Sequence, residues 1–294
     1  MKKGVLYSIG AYVLWGVFPI YWKTIHDVPA LEIISHRVVW SFVFVLGLVT
    51  LKRGWHEFGL LSENKKLPYL ATAVLLSINW LTYVWGVNAG YIIETSLGYF
   101  INPLVSVLLG VIFLHEKLRP WQWISVGLAF LGVLYLSLSY GRLPWIALTL
   151  AGSFGLYGLI KKTAPLESLP GFTLETGIMF VPALSYLIYL EMAGRGAFGH
   201  ASSPMTPLLA LTGIATGVPL LWFGIAARQI KLSTLGFLQY IAPTLQFLIG
   251  VLVYKEDFSQ NRIIGFSIIW TALLIYSLEG VFARRKAPSV TQRI

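Results

Sequence analysis

The chain has no cysteine in its 294 residues, which excludes disulfides, thiolate metal sites and a cysteine nucleophile. Charge is scarce too: Asp, Glu, Lys and Arg together make up 12% of the sequence. So few charges cannot cover a water-soluble surface around a chain that is 56% hydrophobic. A mean hydropathy of +0.73 makes lipid the expected solvent.

Signatures of catalysis are missing as well. His115-Glu116 has no second histidine to complete a zinc-binding HExxH, because Arg119 stands there, and no Gly-Lys-Ser or Gly-Lys-Thr phosphate loop occurs. Gly194, Gly196 and Gly199 have the GxGxxG spacing, but they follow an apolar helix instead of a strand, so no dinucleotide site is expected. Neither a metal nor a cofactor is implied.

What the chain does have is apolar length. A bilayer needs about 20 apolar residues per helix, and such runs recur at 4–22, 33–51, 67–87, 94–114, 121–139, 144–160, 171–190, 208–226, 232–253 and 262–277. The runs are continuous and do not alternate, so they predict helices. The first run is longer than a signal-peptide core, and no A-x-A site follows it; it reads as a retained span.

The formal net charge of +10 is carried by short loops and not by one soluble face, which argues against nucleic acid as a partner. Lys and Arg number 2, 4, 2, 2, 2 and 4 in the N-terminus, the loops at 52–66, 115–120, 161–170 and 227–231, and the C-terminal tail. The alternate loops and their edges hold five, Lys23, Arg142, Arg195, Lys255 and Arg262, so both termini are expected in the cytoplasm. Trp55, Trp80, Trp121, Trp123 and Trp145 read as interface anchors.

The halves echo each other. At an offset of 140, Ile101, Pro103, Leu108, Gly110, Val111 and Glu116 fall on Ile241, Pro243, Leu248, Gly250, Val251 and Glu256. Near 139, Gly16 meets Gly155 and Lys23 meets Lys162; near 138, Gly86 meets Gly224 and Ala89 meets Ala227. Five spans per half is an odd number, so the second half enters the membrane inverted. The expected fold is an all-α polytopic membrane protein of ten transmembrane helices, an inverted five-plus-five repeat over 1–140 and 141–283 with a basic tail at 284–294. Such symmetry offers two nearly equivalent packings for alternating access.

Leu14-Trp15-Gly16 with Pro19, the segment Ser96-Leu97-Gly98-Tyr99-Phe100-Ile101-Asn102-Pro103, and the exit Leu114-His115-Glu116-Lys117-Leu118 resemble the EamA-type drug/metabolite transporters, and within them the RarD-like group. The resemblance covers essentially the whole chain. It implies a carrier of small metabolites or drugs in the bacterial inner membrane. RarD-like proteins are commonly labelled chloramphenicol permeases, which does not by itself make chloramphenicol the cargo here.

Candidate site residues follow from polarity inside the apolar runs. Thr95, Tyr99, Asn102, Ser106 and Gly110 lie on a stripe roughly 80° wide, and the second half places Leu235, Gln239, Ala242, Gln246 and Gly250 at the matching positions. Tyr99, Asn102, Gln239 and Gln246 are candidate cavity residues, with interhelical packing as the alternative; Asn79, Tyr83, Tyr12 and Trp15 are further candidates. Pro103 and Pro243 are candidate hinges. Arg37 and Glu175 are intramembrane charges, expected to pair with Glu94 and with Arg228 or Lys231 as two gates, with His36 or Glu175 as proton carriers. Glu116 and Glu256 read as boundary residues. Gly213 with Gly217, and Gly86 with Gly90, make GxxxG patterns that suit packing within the chain or a dimer.

The leading expectation is a secondary transporter binding a small molecule near the midplane, with lipid around it and protons as a candidate coupling ion. A membrane sensor or scaffold and an intramembrane lipid enzyme are the alternatives.

Overall fold

The computed structural model describes residues 2–59, 66–140, 143–200, 204–255 and 260–286. Every regular element among them is helical: α1 (Lys2–Thr24), α2 (Ala30–Leu51), the short α3 (His56–Gly59), α4 (Leu67–Asn88), α5 (Ile92–Phe113), α6 (Pro120–Tyr140), α7 (Trp145–Thr163), α8 (Ser168–Met192), α9 (Met205–Gln229), α10 (Leu232–Gln239), α11 (Ile241–Leu252) and α12 (Gln260–Lys286). In lipid a helix is the open-ended structure that satisfies its own backbone, and the continuous apolar runs leave no other choice.

Nine segments among the described residues are long and apolar enough to cross a membrane, with α10 and α11 together making one of them. The chain is therefore a multi-pass membrane protein. Helix α7 is the remaining long helix, and its last turn carries Lys161 and Lys162. Helix α12 runs to Lys286, well past the expected end at 277, so the start of the basic tail is helical. Glu256, Arg142 and residues 287–294 lie outside the described residues.

The run at 232–253 is divided at Tyr240 into α10 and α11. Pro243 explains the division. It has no N–H to offer the Gln239 carbonyl one turn earlier, and its ring crowds that oxygen. Pro103 sits in the same register of the first half, yet α5 continues through it. The two segments that match at an offset of 140 thus differ in structure around their prolines.

Helix α1 packs on α9 and α11, α7 on α4 and α5, α2 on α8 and α9, α5 on α10, and α6 on α12. One apolar core gathers Tyr12, Tyr157, Phe172, Phe223 and Leu232, and a second gathers Phe100, Phe237, Tyr240, Phe266 and Tyr276. Gly213 and Gly217 face Trp40 and Phe44 of α2, so this GxxxG serves packing within the chain. His115 and Lys255, 140 residues apart, follow α5 and α11 with φ of 50° and 54°. This left-handed turn is rare for residues with a Cβ and recurs at matched exits.

Candidate functional site

Two charged assemblies lie inside the bundle, near opposite ends. The first is built on Arg37 of α2, seven residues in from Ala30, or about 10 Å at the helical rise. Its Nε donates to Thr216 Oγ1 of α9 at 2.9 Å. Its guanidinium carbon lies 4.9 Å from the Trp22 ring centroid and 4.6 Å from that of Trp80, so indoles of α1 and α4 supply π-faces to the charge. The hydroxyls of Tyr21, Tyr83 and Tyr99 lie within electrostatic reach of it. Tyr83 and Tyr99 meet edge to face at 6.0 Å. Both tyrosines are 38% exposed.

The second assembly is closed. Lys161 Nζ of α7 meets Glu175 Oε1 of α8 at 2.9 Å, and Tyr157 donates its hydroxyl to Glu175 Oε2 at 3.2 Å. Glu175 and Tyr157 are fully buried, and Lys161 is 3% exposed.

These contacts correct the expected pairings. Arg37 does not meet Glu94; that carboxylate, at the start of α5, accepts the Ile146 N–H at 2.7 Å and so caps the N-terminus of α7. Glu175 meets neither Arg228 nor Lys231. Arg228 donates to the carbonyls of Ala164 and Leu166, and Lys231 to that of Lys117. Lys161 was counted as a loop charge, and Trp80 as an interface anchor. Trp80 is instead 9% exposed within α4, beneath Arg37. Trp55, Trp121, Trp123 and Trp145 are all at least half exposed or nearly so, as anchoring requires.

The polar stripes divide. Tyr99 and Tyr83 lie within electrostatic reach of Arg37, whereas Tyr12, Asn102 and Gln239 are buried. Tyr12 donates to the Leu235 carbonyl at 3.1 Å, Gln246 Nε2 to that of Trp15 at 3.1 Å, and Asn79 Nδ2 to Leu150 O and Ser153 Oγ at 2.9 and 3.0 Å. Trp15 packs among Tyr12, Phe154 and Phe223. These residues tie neighbouring helices together in this conformation.

A third feature was missed by the sequence reading. Buried Glu32, one turn before His36, accepts the Ala197 N–H at 2.6 Å through Oε1, while its Oε2, both His36 ring nitrogens and Trp40 Nε1 have no hydrogen-bond partner among the described residues. His36 Nε2 is 3.8 Å from Glu32, and its ring stacks on Phe198 at 5.2 Å. The spacing 32, 36, 40 marks one helix face and was visible in the sequence.

The ends of the helices facing the start of α1 are tied together. Glu116 accepts from Leu232 N at 2.6 Å, Ser233 N at 2.9 Å and Ser233 Oγ at 2.6 Å, capping α10. Lys162 donates to the Ala227 and Ile230 carbonyls, capping α9. Carboxylates at helix N-termini and ammonium groups at C-termini each oppose the helix dipole. Glu116→Ala is expected to cost about 1–2 kcal/mol, read as a lower melting temperature by tryptophan fluorescence, with Ser233→Ala costing less. Equal melting of Glu116→Ala and wild type would remove the cap from the argument.

The chain is thus a multi-pass helical bundle with a cation and aromatic rings gathered between its helices. Comparison with known proteins gives the family. Residues 2–138 match the EamA-like transporter family. Protein RarD of Streptomyces exfoliatus is 45% identical over 97% of this chain and 91% of its own length. An uncharacterized transporter, YojE, of Bacillus subtilis (strain 168) is 46% identical over 98% of each chain. One crystal structure, described only as that of a protein, superposes with a TM-score of 0.70 at 17% identity, over 94% of this chain and 98% of the other, and so shares the fold. The chain belongs to the EamA-like transporter family and is a RarD-like membrane transporter.

Proposed function

We propose that the chain is a secondary carrier that moves a small organic molecule across the bacterial inner membrane by alternating access, through ten spans arranged as two inverted halves, 1–140 and 141–283. One reciprocal contact carries this reading. A Cβ added at Gly16 of α1 would fall 2.7 Å from Leu245 Cβ, and one at Gly155 of α7 2.7 Å from Val105 Cγ1. Gly155 is Gly16 advanced by 139 and Leu245 is Val105 advanced by 140, which supports a reading in which each half sets its first helix against the other half's fourth. The packing of α1 on α9 and α11, against that of α7 on α4 and α5, supports the same exchange. The family match over residues 2–138 accords with the first half.

In this reading the termini lie in the cytoplasm, the capped ends of α9 and α10 form a closed inner gate, and the space at Arg37 opens outward. The stripes with Asn102, Gln239 and Gln246 border the path when the gates exchange, and Pro243 lets α10 move against α11. His36 and Glu175, again 139 apart, are assigned to proton coupling. A Glu175→Gln variant with full uptake and full pH dependence would exclude its carboxylate.

The experiment is counterflow in proteoliposomes, with and without a pH gradient, using compounds that raise the melting temperature. Saturable, trans-stimulated flux is expected; stabilising ligands that produce none in either condition would overturn the carrier reading. The cysteine-free sequence allows a Tyr83→Cys and a Ser233→Cys variant to be labelled from opposite sides without background. Ligand should change the two labelling rates in opposite directions.

A further inference from the structure

Two cations inside the bundle, Lys161 and the partly buried Arg37, are treated differently. Lys161 has its counter-charge built in, with Glu175 at 2.9 Å and a tyrosine hydroxyl completing the carboxylate. Arg37 has no carboxylate within ion-pair distance among the described residues. Among the described residues its partners are one hydroxyl, Thr216, and two indole faces, Trp22 and Trp80. A charge in a membrane helix is costly, and where no protein group neutralises it, a ligand can.

The geometry leaves the relevant atoms available. The bond to Thr216 uses Nε, which fixes the guanidinium plane and leaves both terminal amino groups without hydrogen bonds among the described residues. A planar fork of this kind matches the two oxygens of a carboxylate. Tyr83 and Tyr99, each 38% exposed, add two hydroxyls with no hydrogen-bond partner among the described residues, and their rings provide apolar surface near the charge.

We propose that Arg37, flanked by Trp22, Trp80, Tyr83 and Tyr99, is the recognition site for a small organic monocarboxylate with a flat apolar body. The carboxylate binds the free edge of the guanidinium and the tyrosine hydroxyls, and the body lies among the rings. A single positive charge calls for a single negative one: a phosphate dianion would leave an excess charge in the membrane, and an amine brings a second cation to a site with no carboxylate to receive it. The proposal rests on the transporter reading above and names the substrate class of that site.

The test uses the full-length protein in detergent and four probes of similar shape: 3-phenylpropanoate, its primary amide, phenethyl phosphate and phenethylamine. Quenching of tryptophan fluorescence and thermal shift report binding, and counterflow reports transport. The acid should bind about 10- to 100-fold tighter than the amide, the difference between a charge-assisted and a neutral set of hydrogen bonds. Phosphate and amine should bind no better than the amide. Arg37→Gln should lose the acid's advantage over the amide, Arg37→Lys should keep part of it, and Tyr99→Phe should weaken the acid several-fold more than the amide.

Equal affinity of acid and amide in the wild type would overturn the proposal, and so would an unchanged acid preference in Arg37→Gln. Tighter binding of the phosphate would assign the site to a phosphate ester instead. If Arg37→Gln does not fold, the wild-type panel and Tyr99→Phe decide alone. Acid binding without flux keeps the site and overturns the carrier; flux of neutral compounds without acid binding does the reverse.

Discussion

Glu175→Leu is expected to destabilise the protein by about 3–5 kcal/mol, because it leaves the Lys161 ammonium buried without its counter-charge. Lys161 is 3% exposed and its Nζ lies 2.9 Å from Glu175 Oε1, so water cannot replace what the carboxylate supplied. Lys161→Met alone should be about as damaging, since it strands a fully buried carboxylate with one tyrosine donor left. The double variant Lys161→Met with Glu175→Leu should recover most of the loss, because two apolar side chains remove both desolvation costs together. Tyr157→Phe, which removes a 3.2 Å hydrogen bond, should cost only about 1 kcal/mol. Melting temperatures of the four variants measure this. Additive losses in the double variant would mean that the two charges do not act as a pair.

Transport by the rescued double variant then carries separate information. If the pair serves only the fold, flux returns with stability. If Glu175 also releases a proton when the bundle rearranges, as proposed, the double variant folds and loses its response to a pH gradient. Stability and coupling can be told apart because two apolar side chains replace the packing but not the chemistry.

The membrane helices were legible because lipid imposes a simple rule, and α1, α2, α4 and α9 lie within a few residues of their expected places. Arg37 and Glu175 were visible for the same reason, as charges in otherwise apolar runs. Their partners were not. Helical spacing orders residues along one helix, but the neighbour of Arg37 is decided by how α1, α4 and α9 pack around α2, which no local pattern records. Lys161 was assigned to a loop because two adjacent lysines follow an apolar run. The helix in fact continues to Thr163 and turns Lys161 inward, leaving Lys162 to cap α9. Trp80 was misread because indoles prefer interfaces on average, while this one lies under a guanidinium. Tyr12, Asn79 and Gln246 make hydrogen bonds between helices. The same polarity would suit a cavity wall, and composition cannot separate the two.

Gly213→Ala is expected to destabilise the bundle by about 3 kcal/mol, at the upper end of ordinary overpacking. Helix α9 reaches α2 so closely here that an added Cβ would fall 2.5 Å from both the Cβ and the carbonyl oxygen of Trp40, and nearer still to its carbonyl carbon. Backbone cannot swing aside as a side chain does, so relief requires α2 and α9 to part. That movement would strain two ties across the same seam, Ser41 Oγ to Gly213 O at 3.1 Å and Arg37 Nε to Thr216 Oγ1 at 2.9 Å. Gly217→Ala should cost less, because its Cβ would meet the Phe44 ring at 3.0 Å and the ring can turn. Gly47→Ala meets nothing within 4 Å and should leave melting unchanged or slightly raised, as alanine favours the helix by about 1 kcal/mol. The series also separates the two meanings of GxxxG. A dimer face would change the oligomeric state by light scattering while leaving monomer melting intact, whereas an internal seam lowers melting and, by shifting Thr216, loosens the group that orients Arg37. A Gly213→Ala protein that melts and binds as the wild type does would mean that α2 and α9 are not held at this distance.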